Sequence, residues 1–198
     1  SKNNSPQFRL PVQYVNHISS NHRGFCGTVA SGLVRKGDAV EMLPSKKKGT
    51  VKAIVTYEEE LDCASAGMAV TLTFDSEIEA SRGDIFVHEG QGLMEGKRIE
   101  CTVVWMVNNP LSANVTYDFK IGTRICSGKV SAFHSKIELE NLTEQPTNEL
   151  SLNEIGKVSI DLDELLFFDL YEESQAFGGF IFIDRETNET AGAGMITG

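Results

Sequence analysis

Apolar and polar residues alternate along much of the chain. Val70, Leu72 and Phe74 are interleaved with Thr71, Thr73 and Asp75; Val115, Tyr117, Phe119 and Ile121 with Thr116, Asp118 and Lys120; Val158, Ile160 and Leu162 with Ser159, Asp161 and Asp163. A period of two sends successive side chains to opposite faces, so each stretch predicts a strand with one face in a core and one in water. Val103–Val107 and Phe180–Ile183 are apolar throughout. Their β-branched and aromatic content predicts strands buried on both faces. Turn residues recur at short intervals, at Gly32, Lys36-Gly37-Asp38, Arg82-Gly83-Asp84 and Gly178-Gly179. Short strands punctuated in this way argue for antiparallel barrels or sandwiches. The best helical candidate, Asp161–Leu166, is short and has no capped start. The expected class is all-β.

The pattern breaks between Val87 and Arg98, where His88–Lys97 is rich in glycine and charge and keeps no period. Such a segment reads as a domain junction. The expected organisation is a linker at residues 1–7, a β-barrel at 8–88, a linker at 89–97 and a second β-barrel at 98–198, with six strands in the first barrel. Glu140–Glu149, which contains Pro146 and lacks alternation, is expected to be a surface insertion in the second barrel.

At 198 residues the chain has room for two domains of roughly 100 residues, the common size. A hydrophobic fraction of 40% and a charged fraction of 23% are ordinary for a protein with a buried core, which excludes a disordered chain. The formal net charge of −10 repels phosphate backbones and anionic lipid, so neither nucleic acid nor membrane is an expected partner. Cys26, Cys63, Cys101 and Cys126 show no C-x-x-C spacing. Four buried, reduced thiols are expected, and with them a cytoplasmic location. No apolar run approaches the ~20 residues of a spanning helix.

The residues that could carry chemistry do not assemble into a recognised pattern. A phosphate-binding loop needs G-x-x-x-x-G-K-[ST], whose glycine-rich backbone cradles phosphates and whose hydroxyl meets magnesium. Gly92–Arg98 comes nearest; it is one residue short and has Arg98 where a hydroxyl is required. His17, His22, His88 and His134 form no metal-ligand spacing. His17 and His22 are expected to share a loop. No G-x-S-x-G elbow supports a serine nucleophile. These residues alone describe barrels that bind, support or regulate, with no catalytic residue, cofactor site or metal site of their own.

Leu10-Pro11-Val12, Arg23-Gly24-Phe25-Cys26-Gly27-Thr28-Val29-Ala30-Ser31-Gly32, Arg35-Lys36-Gly37-Asp38-Ala39-Val40 and Ser81-Arg82-Gly83-Asp84 occur in order. This run resembles the second domain of translation-factor GTPases of the elongation factor Tu type. Further on come Val104-Trp105-Met106, Gly122-Thr123-Arg124, Leu152-Asn153-Glu154-Ile155-Gly156, Gly178–Arg185 and Thr190–Ile196. In combination these resemble the third domain of the GTP-binding large subunit of bacterial sulfate adenylyltransferases, and the likeness as a whole covers nearly the whole chain.

The resemblance implies a translation-factor domain II-like barrel followed by an elongation factor domain III-like barrel, cut from a parent enzyme. That parent makes adenosine 5'-phosphosulfate and pyrophosphate from ATP and sulfate, coupled to GTP hydrolysis. GTP and magnesium would belong to an N-terminal GTPase domain of the same polypeptide, and the adenylyl transfer to a small catalytic subunit. Those two are the implied partners. Arg23, Gly24, Phe25 and Thr28 correspond to a stretch lying near the GTPase domain or cargo pocket in related GTPases, and are the expected interface. Two alternatives remain open: a β-barrel fragment of a translation elongation factor, and a stand-alone pair of barrels that binds a protein.

Overall fold

The computed structural model describes residues 6–19 and 22–198. Residues 1–5 of the expected N-terminal linker lie outside the described residues, as do residues 20 and 21. The chain divides into two compact units, Ser1–Gly92 and Leu93–Gly198.

Among the described residues the first unit contains ten strands: β1 (Arg9–Pro11), β2 (Tyr14–Ser19), β3 (His22–Thr28), β4 (Leu33–Arg35), β5 (Ala39–Leu43), β6 (Lys47–Val55), β7 (Glu60–Leu61), β8 (Cys63–Ser65), β9 (Ala69–Phe74) and β10 (Ile85–His88). Antiparallel pairing follows the path β1-β10-β5-β6-β9-β3-β2, with β7 on β6 and a separate β4–β8 pair. β6 pairs with β5 through its first half and with β9 through its second, with a register shift between Val51 and Ala53. An irregularity of this kind bends a strand and strengthens its twist, so β6 turns the sheet back on itself. The free flank of β1 then meets the chain just after β3 at the Arg9–Ser31 bridge. Seven strands lie on this path, and the six from β1 to β3 are those between the two segments that this bridge joins, with β2 outside them. Val70, Leu72 and Phe74 face inward as their alternation requires, and Phe25, Phe74 and Phe86 stack at the centre with centroids 5.0–5.7 Å apart. Gly32 and Gly37 occupy turns with φ of +72° and +90°.

The second unit contains β11 (Met94–Trp105), β12 (Leu111–Ser112), β13 (Tyr117–Ile121), β14 (Arg124–Glu138), β15 (Thr143–Gln145), β16 (Glu149–Leu150), β17 (Ile155–Phe168), the four-residue helix α1 (Gln175–Gly178), β18 (Gly179–Ile183) and β19 (Thr190–Ile196). The ladder β13-β18-β19-β11-β17-β14 returns to its start because β13 also pairs with β14. This is a closed ring of six strands, which leaves the ring without an open edge. Its core holds Trp105 with Tyr117, Phe119, Phe180 and Phe182. Among the described residues no helix is long and apolar enough to cross a membrane.

Several expectations change here. Asp161–Leu166 is not a helix but the middle of β17, where Asp161 is paired with Arg98 on one side and Lys129 on the other. Ladder pairs at Asp161, Leu162 and Leu166 outweigh a weak local preference. β13 begins at Tyr117, leaving Val115 outside it and 43% exposed. Ile181 and Ile183 are half-buried, so β18 has only one fully covered face. Glu140–Glu149 is not irregular throughout, because Thr143–Gln145 folds back on β14 as β15.

Candidate functional site

β3 carries the four residues expected at an interface. It lies between β2 and β9, with Tyr14 opposite Cys26, and Phe25 opposite Leu72. Gly24 and Phe25 are buried, whereas Arg23 and Thr28 are half-buried. Phe25 belongs to the aromatic core and also lines a cleft of about 270 Å³ at the start of β3. Arg23, His22 and Lys52 supply cationic or titratable groups to this cleft, Asp75, Glu77 and Glu79 supply carboxylates, and Phe74 and Ile78 add apolar surface. Arg23 reaches Glu79 at 3.9 Å, with both side chains well exposed; such a pair contributes little to stability.

Arg23 and Phe25 therefore share one site. Thr28 pairs with Ala69 at the far end of β3, about 17 Å away at the rise of an extended strand. His17 and His22 were expected in a loop but stand on the paired strands β2 and β3. Among the described residues no group of three His, Cys, Asp or Glu side chains could hold a metal ion. The glycine-rich approach to a phosphate loop is not built as one: Gly96 and Lys97 lie in β11, with Gly96 paired to Leu166.

A second cluster, not anticipated from the sequence, lies on the outer wall of the closed barrel. Ser159 Oγ donates to Glu100 Oε2 at 2.5 Å, and His134 Nε2 lies 2.7 Å from Ser159 Oγ and 3.1 Å from the same carboxylate oxygen. With its one hydrogen given to Glu100, the Ser159 hydroxyl can only accept from His134, so Nε2 carries a proton. Val130 pairs with Ile160 and Ala132 with Ser159, then Phe133 with Val158 and Ser135 with Lys157. Ser131 and His134 are thus the extra residues of two bulges, and such an insertion re-aims its side chain. The three residues lie on three strands and far apart in the chain, and no spacing rule would have found them.

The cluster is not a nucleophilic triad. Serine and carboxylate meet the same imidazole nitrogen, and Ser159 is fully buried, whereas the triad needs the carboxylate on the opposite nitrogen and an accessible hydroxyl. It fastens β11, β14 and β17 together. Partial burial works to raise the Glu100 pKa, but hydrogen bonds from Ser159, His134 and Arg98 outweigh it and hold the carboxyl below its ordinary value of 4.5. A carboxyl depressed in the folded state gives stability that is present above the unfolded pKa and lost as pH falls through the folded one. Acidification below pH 4.5 should therefore weaken the second unit, and Glu100→Gln should flatten that loss. Urea midpoints followed by Trp105 fluorescence above and below this pH check it; equal acid sensitivity in both proteins would contradict the assignment.

Two of the cysteines are held as thiols by burial. Cys26, Cys101 and Cys126 are buried, while Cys63 is half-buried and departs from the expected four. Burial pushes the Cys101 thiol far up and that of Cys126 to about 11, so neither supplies a thiolate at neutral pH.

The chain is 44% identical over 189 residues to sulfate adenylyltransferase subunit 1 of Aliarcobacter butzleri, covering 96% of this chain and 40% of that protein. It is 45% identical over 192 residues to the same-named protein of Psychromonas ingrahamii, covering 97% and 41%. The chain thus spans about two fifths of the length of these curated relatives. Its fold matches the translation elongation factor SelB of Methanococcus maripaludis with a TM-score of 0.79, at 20% identity, over 98% of this chain and 43% of that one. The GTP-eEF1A C-terminal domain-like family matches residues 98–197, which contain the closed six-stranded barrel apart from the first four residues of β11. On that match over half its length, the chain belongs to the GTP-eEF1A C-terminal domain-like family.

Proposed function

We propose that the chain is the two-barrel part of the GTP-binding large subunit of a sulfate adenylyltransferase. In this reading it supports the GTP-coupled synthesis of adenosine 5'-phosphosulfate and pyrophosphate from ATP and sulfate, in the cytoplasm. The observation that carries the proposal is the 44–45% identity to sulfate adenylyltransferase subunit 1 across nearly the whole chain. The barrels act as a scaffold between a GTPase domain earlier in the polypeptide and a small catalytic subunit. GTP and magnesium are bound by the GTPase domain. The test is reconstitution of the full-length native subunit with the small subunit, with adenosine 5'-phosphosulfate measured with and without GTP. No product, or product formation indifferent to GTP, would defeat the proposal.

The cleft beside β3 is the proposed contact with one of those partners. Arg23 is half-exposed at its rim, and its weak pairing with Glu79 leaves the guanidinium available at little cost. Gly24 and Phe25 are the buried residues of the same strand, while Thr28 would belong to a separate contact. Arg23→Ala in the full complex is expected to lower the stimulation by GTP about tenfold, within the ordinary range of coupling between sites. Undiminished stimulation in a folded variant would remove the cleft from the interface.

A further inference from the structure

Arg9 is completely buried. Taking a guanidinium out of water costs several kcal/mol unless its donors are met. Its Nη1 donates to Phe8 O at 3.0 Å and to Gln91 O at 2.7 Å, and its Nη2 to the Gln7 side-chain oxygen at 2.7 Å. The β1–β10 ladder has its last rung at Arg9 and Val87. Beyond it the chain leaves the first unit through a turn in which Gln91 N bonds His88 O and Gly90 has φ of +78°. This exit segment is also held by Glu89 N on Ala39 O and by the His88–Asp38 and Lys48–Glu89 pairs. Those contacts attach it to the barrel wall. Arg9, together with the Phe8 ring packed 5.1 Å from His88, attaches it to the entry segment instead. A planar guanidinium can bond acceptors on two segments at once in fixed geometry, which a lysine ammonium does not reproduce.

We infer that Arg9 is a positioning residue that locks the exit of the first unit to its entry. The lock carries a displacement of the chain ahead of Phe8 to the chain following Gln91. Resting on the function proposed above, it would pass the state of the preceding GTPase domain onward to the second barrel.

The experiment uses the full-length subunit with its small subunit and compares wild type, Arg9→Met and Arg9→Lys. Amide hydrogen exchange at Gln91–Leu93 is expected to rise about tenfold in Arg9→Met, the size of one charge-assisted hydrogen bond, with β9 unchanged. The ratio of product formed with GTP to that formed without should fall about fivefold, at unchanged KM for GTP, and Arg9→Lys should not restore it. Unaltered exchange in folded Arg9→Met would overturn the lock. Raised exchange with an unaltered ratio would overturn its role in transmission. If wild type itself shows no response to GTP, the proposed function and the transmission fall together, and exchange still decides the lock. Should Arg9→Met fail to fold, Gln7→Ala removes one acceptor from an exposed residue; exchange raised about threefold supports the lock and unchanged exchange opposes it.

Discussion

Replacing Phe182 with alanine is expected to destabilise the second unit by about 4 kcal/mol. Phe182 has no exposed surface and lies within 4.7–5.8 Å of the rings of Trp105, Tyr117, Phe119 and Phe180. Three of these four contacts are edge-to-face, the arrangement that adds to simple area burial. Removing the ring opens a cavity whose walls belong to a closed sheet and have little freedom to collapse. Trp105 is the only tryptophan in the chain and touches this site, so its fluorescence reports the transition directly. Phe182→Leu, which retains most of the volume, should cost about 1.5 kcal/mol. Near-equal midpoints for alanine and wild type in urea would show that this cluster does not govern the stability of the unit.

Gly27→Ala is expected to cost the first unit about 3 kcal/mol, although it adds a single carbon. A Cβ at Gly27 would be driven into the backbone oxygen of Pro11 and against Leu10. Both belong to the segment around β1, which is held in place by Val12 N on Asp84 O and by the β1–β10 ladder. Backbone pinned on two sides cannot yield as a flexible side chain does. Gly37→Ala supplies the contrast. There φ is +90° but nothing lies within 4 Å of the added carbon, so strain alone operates, at about 1–2 kcal/mol. Thermal unfolding, with hydrogen exchange at the β3 and β9 amides, separates the two. A smaller loss at Gly27 than at Gly37 would reverse the assignment of close approach and strain.

What was legible was local. The alternation at Val70–Phe74 and Val158–Leu162 yields strands with those residues inward, and Gly32 and Gly37 sit in the turns their chemistry suggests. The four residues expected at an interface were legible as a motif but not as a surface: they read alike in one short stretch, yet the fold buries Gly24 and Phe25, places Arg23 at a cleft and sends Thr28 to the other end of the strand. The carboxylate, imidazole and hydroxyl of Glu100, His134 and Ser159 carried no signal, because a bulge aims the histidine and bulges depend on the partner strand.

The amino-acid sequence by itself determined that this protein is built from strands, where many of its turns fall and which side of each regular strand is apolar. These properties follow from residues two to four apart, whose steric and solvation preferences act within the strand itself. The tertiary structure alone decided that Asp161–Leu166 extends rather than coils, that six strands close into a ring, and that Arg9 is buried between the entry and exit of the first unit. Each depends on hydrogen bonds between residues some 30 to 100 positions apart. Such bonds form only when loop closure brings those residues together, so their strength is a property of the assembled sheet.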